Sequence, residues 1–185
     1  HFRLSLHLLI AFLILSLIYW NYLKTNVSRN TTSKLNTFIP LLFLILIFLQ
    51  ISIGAFVSGM DAGKIYNTWP LMGNNYFPDD NNYLNLFKIS ALSDPSLVQF
   101  VHRNLAYIIL FVFFVITFFV IFKKLERFYT IVKILGAVLF LQIILGILTV
   151  LNGAEMLLAS MHQISSIILI SFSIYLLFLN SKKIN

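Results

Sequence analysis

Leu49-Gln50-Ile51-Ser52-Ile53-Gly54 and Leu141-Gln142-Ile143-Ile144-Leu145-Gly146 are near-copies, and their reading decides the fold. Each lies in an apolar run of helix length. The next apolar run after each opens with a histidine: His102 in Phe100-Val101-His102-Arg103, and His162 in Ser160-Met161-His162-Gln163. An internal repeat fixes architecture before local propensity does. Here it predicts a duplicated helix pair, each copy contributing one histidine within the membrane.

Composition sets the environment. Of the 185 residues, 59% are hydrophobic and only 10% are charged, against about 25% charged in a soluble domain. The apolar residues come in long blocks, which predicts a membrane protein and not a large soluble core. The absence of cysteine excludes disulfides, thiolate catalysis, iron–sulfur clusters and Cys-ligated zinc. A net charge of +7 would suggest nucleic acid in a soluble protein. Here the basic residues cluster in short loops beside apolar runs, so they read as topology signals and no nucleic-acid partner is expected. The N-terminal run is long and lacks a small-residue cleavage site, so no signal peptide is expected. The chain opens on His1 and not Met, so the expectation is a piece of a longer protein.

Five apolar runs, over residues 4–23, 38–57, 98–122, 129–151 and 157–179, approach the roughly 20 residues that a spanning helix needs. The expected fold is an all-α integral membrane protein of five transmembrane helices. The last four form a pseudo-twofold four-helix bundle over residues 38–185. Residues 1–37 form a separate unit of one helix and a basic loop. Lys24, Arg29 and Lys34 lie between helices one and two. Lys123, Lys124, Arg127 and Lys133 mark the junction of three and four, and Lys182 and Lys183 follow helix five. Alternating spans put all three groups on one side, which the positive-inside rule makes cytoplasmic. At about 1.5 Å per residue, His102 stands ~31 Å from Lys123, His162 ~30 Å from Lys182, and His7 ~26 Å from Lys24. All three therefore sit near the outer boundary of the hydrocarbon, and His102 and His162 are matched in depth. One planar ligand could bridge them.

Residues 58–97 form the one long non-spanning stretch. Its aromatic and apolar side chains (Tyr66, Trp69, Leu71, Met72, Tyr76, Phe77 and Phe87) argue for a folded cap on the outer face.

His102 and His162 are the candidate ligands. Ionisable residues within spans are costly and usually functional. The bland alternative is a pair of interfacial histidines hydrogen-bonded to backbone or headgroups. Two at equivalent places in a repeat favour a metal or haem pair. Zinc fits less well, because no further Cys or carboxylate ligands cluster nearby. Haem fits better, because its remaining ligands come from the porphyrin. Ala106, Ser165 and Ser166 lie three or four residues after the histidines, on the same helix faces. Their small size suits a flat macrocycle, or helix packing. Gly54 and Gly146 share that ambiguity. Gln50 and Gln142 read as interhelical hydrogen-bonding groups. Arg103 is either a partner for a haem propionate or an interfacial anchor. His7, with Arg3 four residues earlier on the same face, has no partner within the repeat.

Several segments together resemble haem A synthase of the proteobacterial and mitochondrial type. They are Gly54-Ala55-Phe56-Val57-Ser58-Gly59-Met60-Asp61-Ala62-Gly63, Tyr66-Asn67-Thr68-Trp69-Pro70-Leu71-Met72, Gln99-Phe100-Val101-His102-Arg103, Leu145-Gly146-Ile147-Leu148-Thr149 and Ala159-Ser160-Met161-His162-Gln163. Arg3-Leu4-Ser5-Leu6-His7-Leu8 resembles the family's fourth helix. Family members have eight helices in two similar halves, and this sequence matches helices four to eight. The resemblance implies that His102 and His162 ligate haem b, with Arg103 beside it. It implies that His7 belongs to the catalytic site of the other half, where haem O is processed. The family's Glu-x-x-His-Arg-like segment and its carboxylate near the substrate are not in this sequence. The implied reaction oxidises the position-8 methyl of haem O to a formyl group by successive hydroxylations, with water as the oxygen source. This chain would supply the haem b electron-transfer half. The implied partners are haem O, the lipid bilayer, the N-terminal half of the same protein, and haem O synthase or a second copy. The implied location is the bacterial inner membrane or the mitochondrial inner membrane, with the C-terminus on the cytoplasmic or matrix side.

Two other classes compete. A plain electron-transfer cytochrome b of the membrane, with no haem-modifying activity, fits the repeat and histidines equally well. A transporter built from repeats predicts broken spans, and the last three runs carry no internal proline. A haem O-forming prenyltransferase would need an Asp-rich diphosphate motif, and none occurs.

Overall fold

Asp94-Pro95 shows how this sequence starts a helix. The Asp94 carboxylate accepts a hydrogen bond from Leu97 N at 3.0 Å, and Pro95 takes the first helical position. Proline suits that position because its missing N–H would have no partner there. The structure is a computed structural model that describes residues 2–27 and 34–181. Five long helices result: α1 (Phe2–Asn26), α2 (Phe38–Gly59), α3 (Pro95–Phe122), α4 (Tyr129–Leu151) and α5 (Met156–Asn180). All five are long and apolar enough to cross a membrane. Among the described residues there is no β-strand, only a bridge between Met72 and Asn75. The chain is an all-α integral membrane protein, as its composition predicts. Of the residues expected to set topology, Arg29, Lys182 and Lys183 lie outside the described residues, as does His1.

The helix pairs of the repeat make the two most extensive interfaces, α2 with α3 and α4 with α5. Further contacts of α3 with α4 and of α2 with α5 close a ring of four. Chain order around that ring places α3 and α5 at opposite corners. α1 stands outside it, against α2 and α5. Lipid tails are as apolar as leucine, so close packing, not exclusion of water, holds such helices together. Phe43 and Ile47 of α2, Ile116 and Val120 of α3, Leu135 of α4 and Ile170 of α5 are fully enclosed. Gly136 lets α4 approach α3 so closely that a Cβ there would stand 2.9 Å from Phe113 Cζ.

The ends of the bundle differ. At one end, Asn180 clamps the chain entering α2, accepting from Leu35 N at 2.9 Å and donating to Leu35 O at 3.2 Å. Arg127 reaches Leu179 O at 2.5 Å at the same end. Lys34, Lys123 and Lys124 lie there too, so these loop lysines share one end of the bundle. At the other end lies the segment between α2 and α3, which contains three short 3₁₀ turns. It is folded, as expected. Phe77 stacks on Tyr83 at 4.0 Å and meets Phe100 edge-on at 4.9 Å. Asn67 ties the segment to the top of α4 through Val150 O at 2.9 Å. Its limits are tighter than the expected 58–97, because the Asp94 cap starts α3 three residues before Val98. α4 and α5 join through a tight turn in which Gly153 and Ala154 both take left-handed conformations.

Candidate functional site

The repeat folds into two copies of one local arrangement. On α2, Gln50 lies nine residues before the helix end at Gly59. On α4, Gln142 lies nine residues before the end at Leu151. One turn further on, Gly54 and Gly146 face the partner helix of their own pair. A Cβ on Gly54 would stand 3.1 Å from His102 Cε1, and one on Gly146 would stand 3.1 Å from His162 Cε1. Only a residue without a side chain leaves each imidazole its place. The glutamines complete the arrangement. Gln50 Nε2 donates to the His102 main-chain carbonyl at 3.0 Å and lies 3.3 Å from His102 Nε2. Gln142 Nε2 donates to the His162 carbonyl at 3.0 Å and lies 3.4 Å from His162 Nε2. Gln50 and Gln142 are thus interhelical hydrogen-bonding groups, and their partners are the two histidines themselves.

His102 lies seven residues into α3 and His162 six into α5. At about 1.5 Å per residue, each is ~9–10 Å from the outer end of its own helix. The Nδ1 atom of each ring is buried without a hydrogen-bond partner. A buried polar atom in that state costs free energy, and two at equivalent places in a repeat call for a ligand or an unmade bond.

The small residues after the histidines serve the helices. Ser165 Oγ bonds the Gln142 Oε1 atom and the His162 carbonyl, the latter at 3.0 Å. Ser166 Oγ donates to Gln163 O at 2.6 Å. The position on α3 that corresponds to Ser165 is Leu105, and Gln50 Oε1 is buried with no partner. The two halves thus differ in one hydroxyl. No sequence signal marked that difference beyond the unequal residues three after each histidine.

Arg103 is committed to the outer segment. Its guanidinium donates to Tyr66 O at 2.8 Å, Thr68 O at 2.8 Å and Leu71 O at 3.2 Å, while Nε is buried without a partner. Gln99 Nε2 donates to the same Tyr66 carbonyl at 3.0 Å. The Tyr66–Leu71 stretch is therefore held over the helix that carries His102. Asp80 ties the rest of the cap, accepting from Ser96 Oγ at 2.6 Å and from Tyr66 Oη at 3.1 Å. Burial pushes the Asp80 carboxyl up, but hydrogen bonds from Ser96, Tyr66 and Asn81 outweigh it and hold the group below the usual range. Burial, then the Asp80 hydrogen bond and charge, pushes the Tyr66 phenol up.

His7 stands apart. It is exposed on α1, with Arg3 exposed one turn earlier. Around it Leu4, Leu6, Ile10, Leu13, Ile14, Leu17 and Ile18 are also exposed. A groove of about 240 Å³ runs between α1 and α5, lined by Leu8, Ala11, Phe12, Leu15, Gln163 and Ile164 among others, and His7 is not part of its lining. Among the described residues, no group of three or more His, Asp or Glu side chains could hold a metal ion. Two histidines alone suit an ion whose other ligands come from its own carrier.

Residues 1–174 match the model of a family described as "Cytochrome oxidase assembly protein". A protein named Heme A synthase from Pelagibacter ubique (strain HTCC1062) is 43% identical over 181 residues, which cover 98% of this chain and 53% of that protein. Proteins of the same name from Rickettsia felis (34% over 184 residues, 97% of this chain and 54% of the relative) and Rickettsia prowazekii (35% over 185 residues, 98% and 55%) are also similar. The chain thus spans about half the length of the curated relatives it matches. No solved structure matches it.

Proposed function

The chain belongs to the cytochrome oxidase assembly protein family, and from that premise we propose that it is the haem b-binding, electron-transferring half of a haem A synthase. The observation that carries this reading is the doubled arrangement of glutamine, glycine and histidine, at one register on two helix pairs. A planar group with one metal at its centre needs two donors facing each other from opposite corners of a bundle. α3 and α5 occupy such corners. The residues fit a haem: the two imidazoles stand on helices at opposite corners of the bundle, and each is cradled where a Cβ would intrude. His102 and His162 would hold the iron. When bound, the haem supplies one-electron chemistry at a potential that its axial ligands and apolar surroundings tune.

The residues of this chain bind, orient and exclude water. Gln50 and Gln142 hold the backbone of each histidine. Arg103 and Gln99 hold the cap, which closes the outer end of the bundle and limits solvent access. The reaction proposed for the whole protein converts the position-8 methyl of haem O to a formyl group, with oxygen from water. Electrons leave the substrate in that conversion, and a haem held by His102 and His162 would supply one-electron chemistry to receive them. His7 would serve the substrate side. It stands on the exposed face of α1, the helix we assign with residues 1–37 to the other half of the protein. The proposed location is the bacterial or mitochondrial inner membrane, with the basic end on the cytoplasmic or matrix side. Haem O, haem O synthase and a second copy are the partners the reading allows.

Pigment analysis of cells that make haem O tests this reading. Haem A should accumulate with the full-length protein and fall to background when it carries His102→Ala or His162→Ala. Haem b in the purified protein with no haem A in the cells would instead support a plain electron-transfer cytochrome b.

A further inference from the structure

Gln50 and Gln142 fix more than a backbone. Each amide nitrogen donates to the main-chain carbonyl of a histidine, at 3.0 Å in both halves. A carbonyl can only accept, so the nitrogen end of each amide must point at the histidine. The second hydrogen of that nitrogen then faces the imidazole Nε2, at 3.3 Å for His102 and 3.4 Å for His162. A neutral imidazole carries its proton on one nitrogen and a lone pair on the other. With the proton on Nε2, two donors would face each other and the Nδ1 lone pair would stay unpartnered. With the proton on Nδ1, Nε2 accepts from the amide. The second arrangement wins in both halves, because Nδ1 is buried without a partner in either case.

We propose, resting on the haem reading above, that Gln50 and Gln142 are positioning residues that hold His102 and His162 in the tautomer with the proton on Nδ1 and the lone pair on Nε2, the pair that iron would take. A hydrogen bond donated to one nitrogen of a neutral imidazole places the ring proton on the other nitrogen. Here the amide presents each imidazole and yields Nε2 when a stronger acceptor of its lone pair arrives. The hold is unequal. Gln142 is fixed at both ends, since Oε1 accepts from Ser165 while Nε2 donates. Gln50 is fixed only through Nε2. His162 is therefore the more firmly preset ligand.

Nitrogen-15 NMR of labelled histidine in the haem-free protein, in lipid nanodiscs, reads the tautomer directly. The wild type should show His162 with its proton on Nδ1 and a lone-pair nitrogen at Nε2. Gln142→Met, which keeps the volume and removes the amide, should lose that single pattern. In the haem-loaded variant the low-spin resonance should shift while the iron stays low-spin. Ser165→Ala removes the anchor without touching the amide and should give a smaller loss of the same kind. It decides the matter if Gln142→Met does not fold. A His162 tautomer pattern unchanged in Gln142→Met, or in Ser165→Ala where that variant must decide, overturns the proposal. A wild type with the predicted tautomer that takes up no haem overturns the haem reading instead.

Discussion

Adding one methyl group at Gly54 or Gly146 tests the cradle. A Cβ at either position would stand 3.1 Å from the Cε1 of the histidine it faces. Ordinary contact begins near 3.4 Å, so the imidazole must retreat by a few tenths of an ångström. Overpacking of that kind costs about 1–3 kcal/mol. Alanine recovers about 1 kcal/mol of helix propensity over glycine. The net loss of stability is therefore ~0–2 kcal/mol, which the fold can absorb. The ligand geometry cannot, because the retreat falls on the ring that binds. Gly136→Ala is the control. Its Cβ would press on Phe113 at 2.9 Å, in the same bundle but on no histidine. Haem content per protein, from the low-spin absorption bands, and thermal unfolding should be measured together. Gly54→Ala and Gly146→Ala should lose most of their haem with a modest fall in Tm. Gly136→Ala should show a similar or larger fall in Tm and keep its spectrum. Full haem content in both cradle variants would refute the reasoning, as would equal haem loss in all three.

Three further outcomes follow from other parts of the molecule. In the full-length protein, His7→Ala should leave the haem b spectrum nearly unchanged and stop the conversion of haem O to haem A, since His7 lies on the exposed face of α1; loss of haem b with normal conversion would reverse the two assignments. Asp80 has its folded pKa lowered, so its contribution is present above the unfolded value of about 3.9 and is lost as pH falls through the lower folded value. Protection against hydrogen exchange in the segment between α2 and α3, taken relative to the unfolded chain at the same pH, should thus stay flat from neutral pH to about 4 and fall below it, whereas Asp80→Asn should show less protection at neutral pH and lose the acid step; an acid step that survives in Asp80→Asn would show that another group is responsible. A reporter fused after Asn185 should be active only if it is of a cytoplasmic type, and activity of a periplasmic type would overturn the topology.

Much of this was readable from the chain. Gln50 and Gln142, Gly54 and Gly146, and His102 and His162 recur in one order, and a repeat needs no tertiary information to be seen. The lengths of the apolar runs and the positions of Lys34, Lys123 and Lys124 gave the spans and their common basic end. What the chain did not disclose is where polar atoms point. Arg103 follows His102 in sequence, so a haem partner and an anchor were equal readings. Its two terminal nitrogens donate to the carbonyls of Tyr66, Thr68 and Leu71 while Nε has no partner, and the directions of those carbonyls depend on the path of a loop. Ser165 and Ser166 read equally as room for a flat ligand or as helix packing, and the sequence does not show that both hydroxyls bond helix groups. The early start of α3 was written in Asp94-Pro95, a cap followed by a first-turn proline. The hydropathy of the following run drowned that signal.

The central claim is that His102 and His162 together ligate one haem. Absorption and electron paramagnetic resonance spectra of the purified wild type, His102→Ala and His162→Ala test it most directly. A low-spin signal with two imidazole ligands in the wild type, lost in each single variant, is the predicted result. Retention of the wild-type low-spin signal in both variants would contradict it.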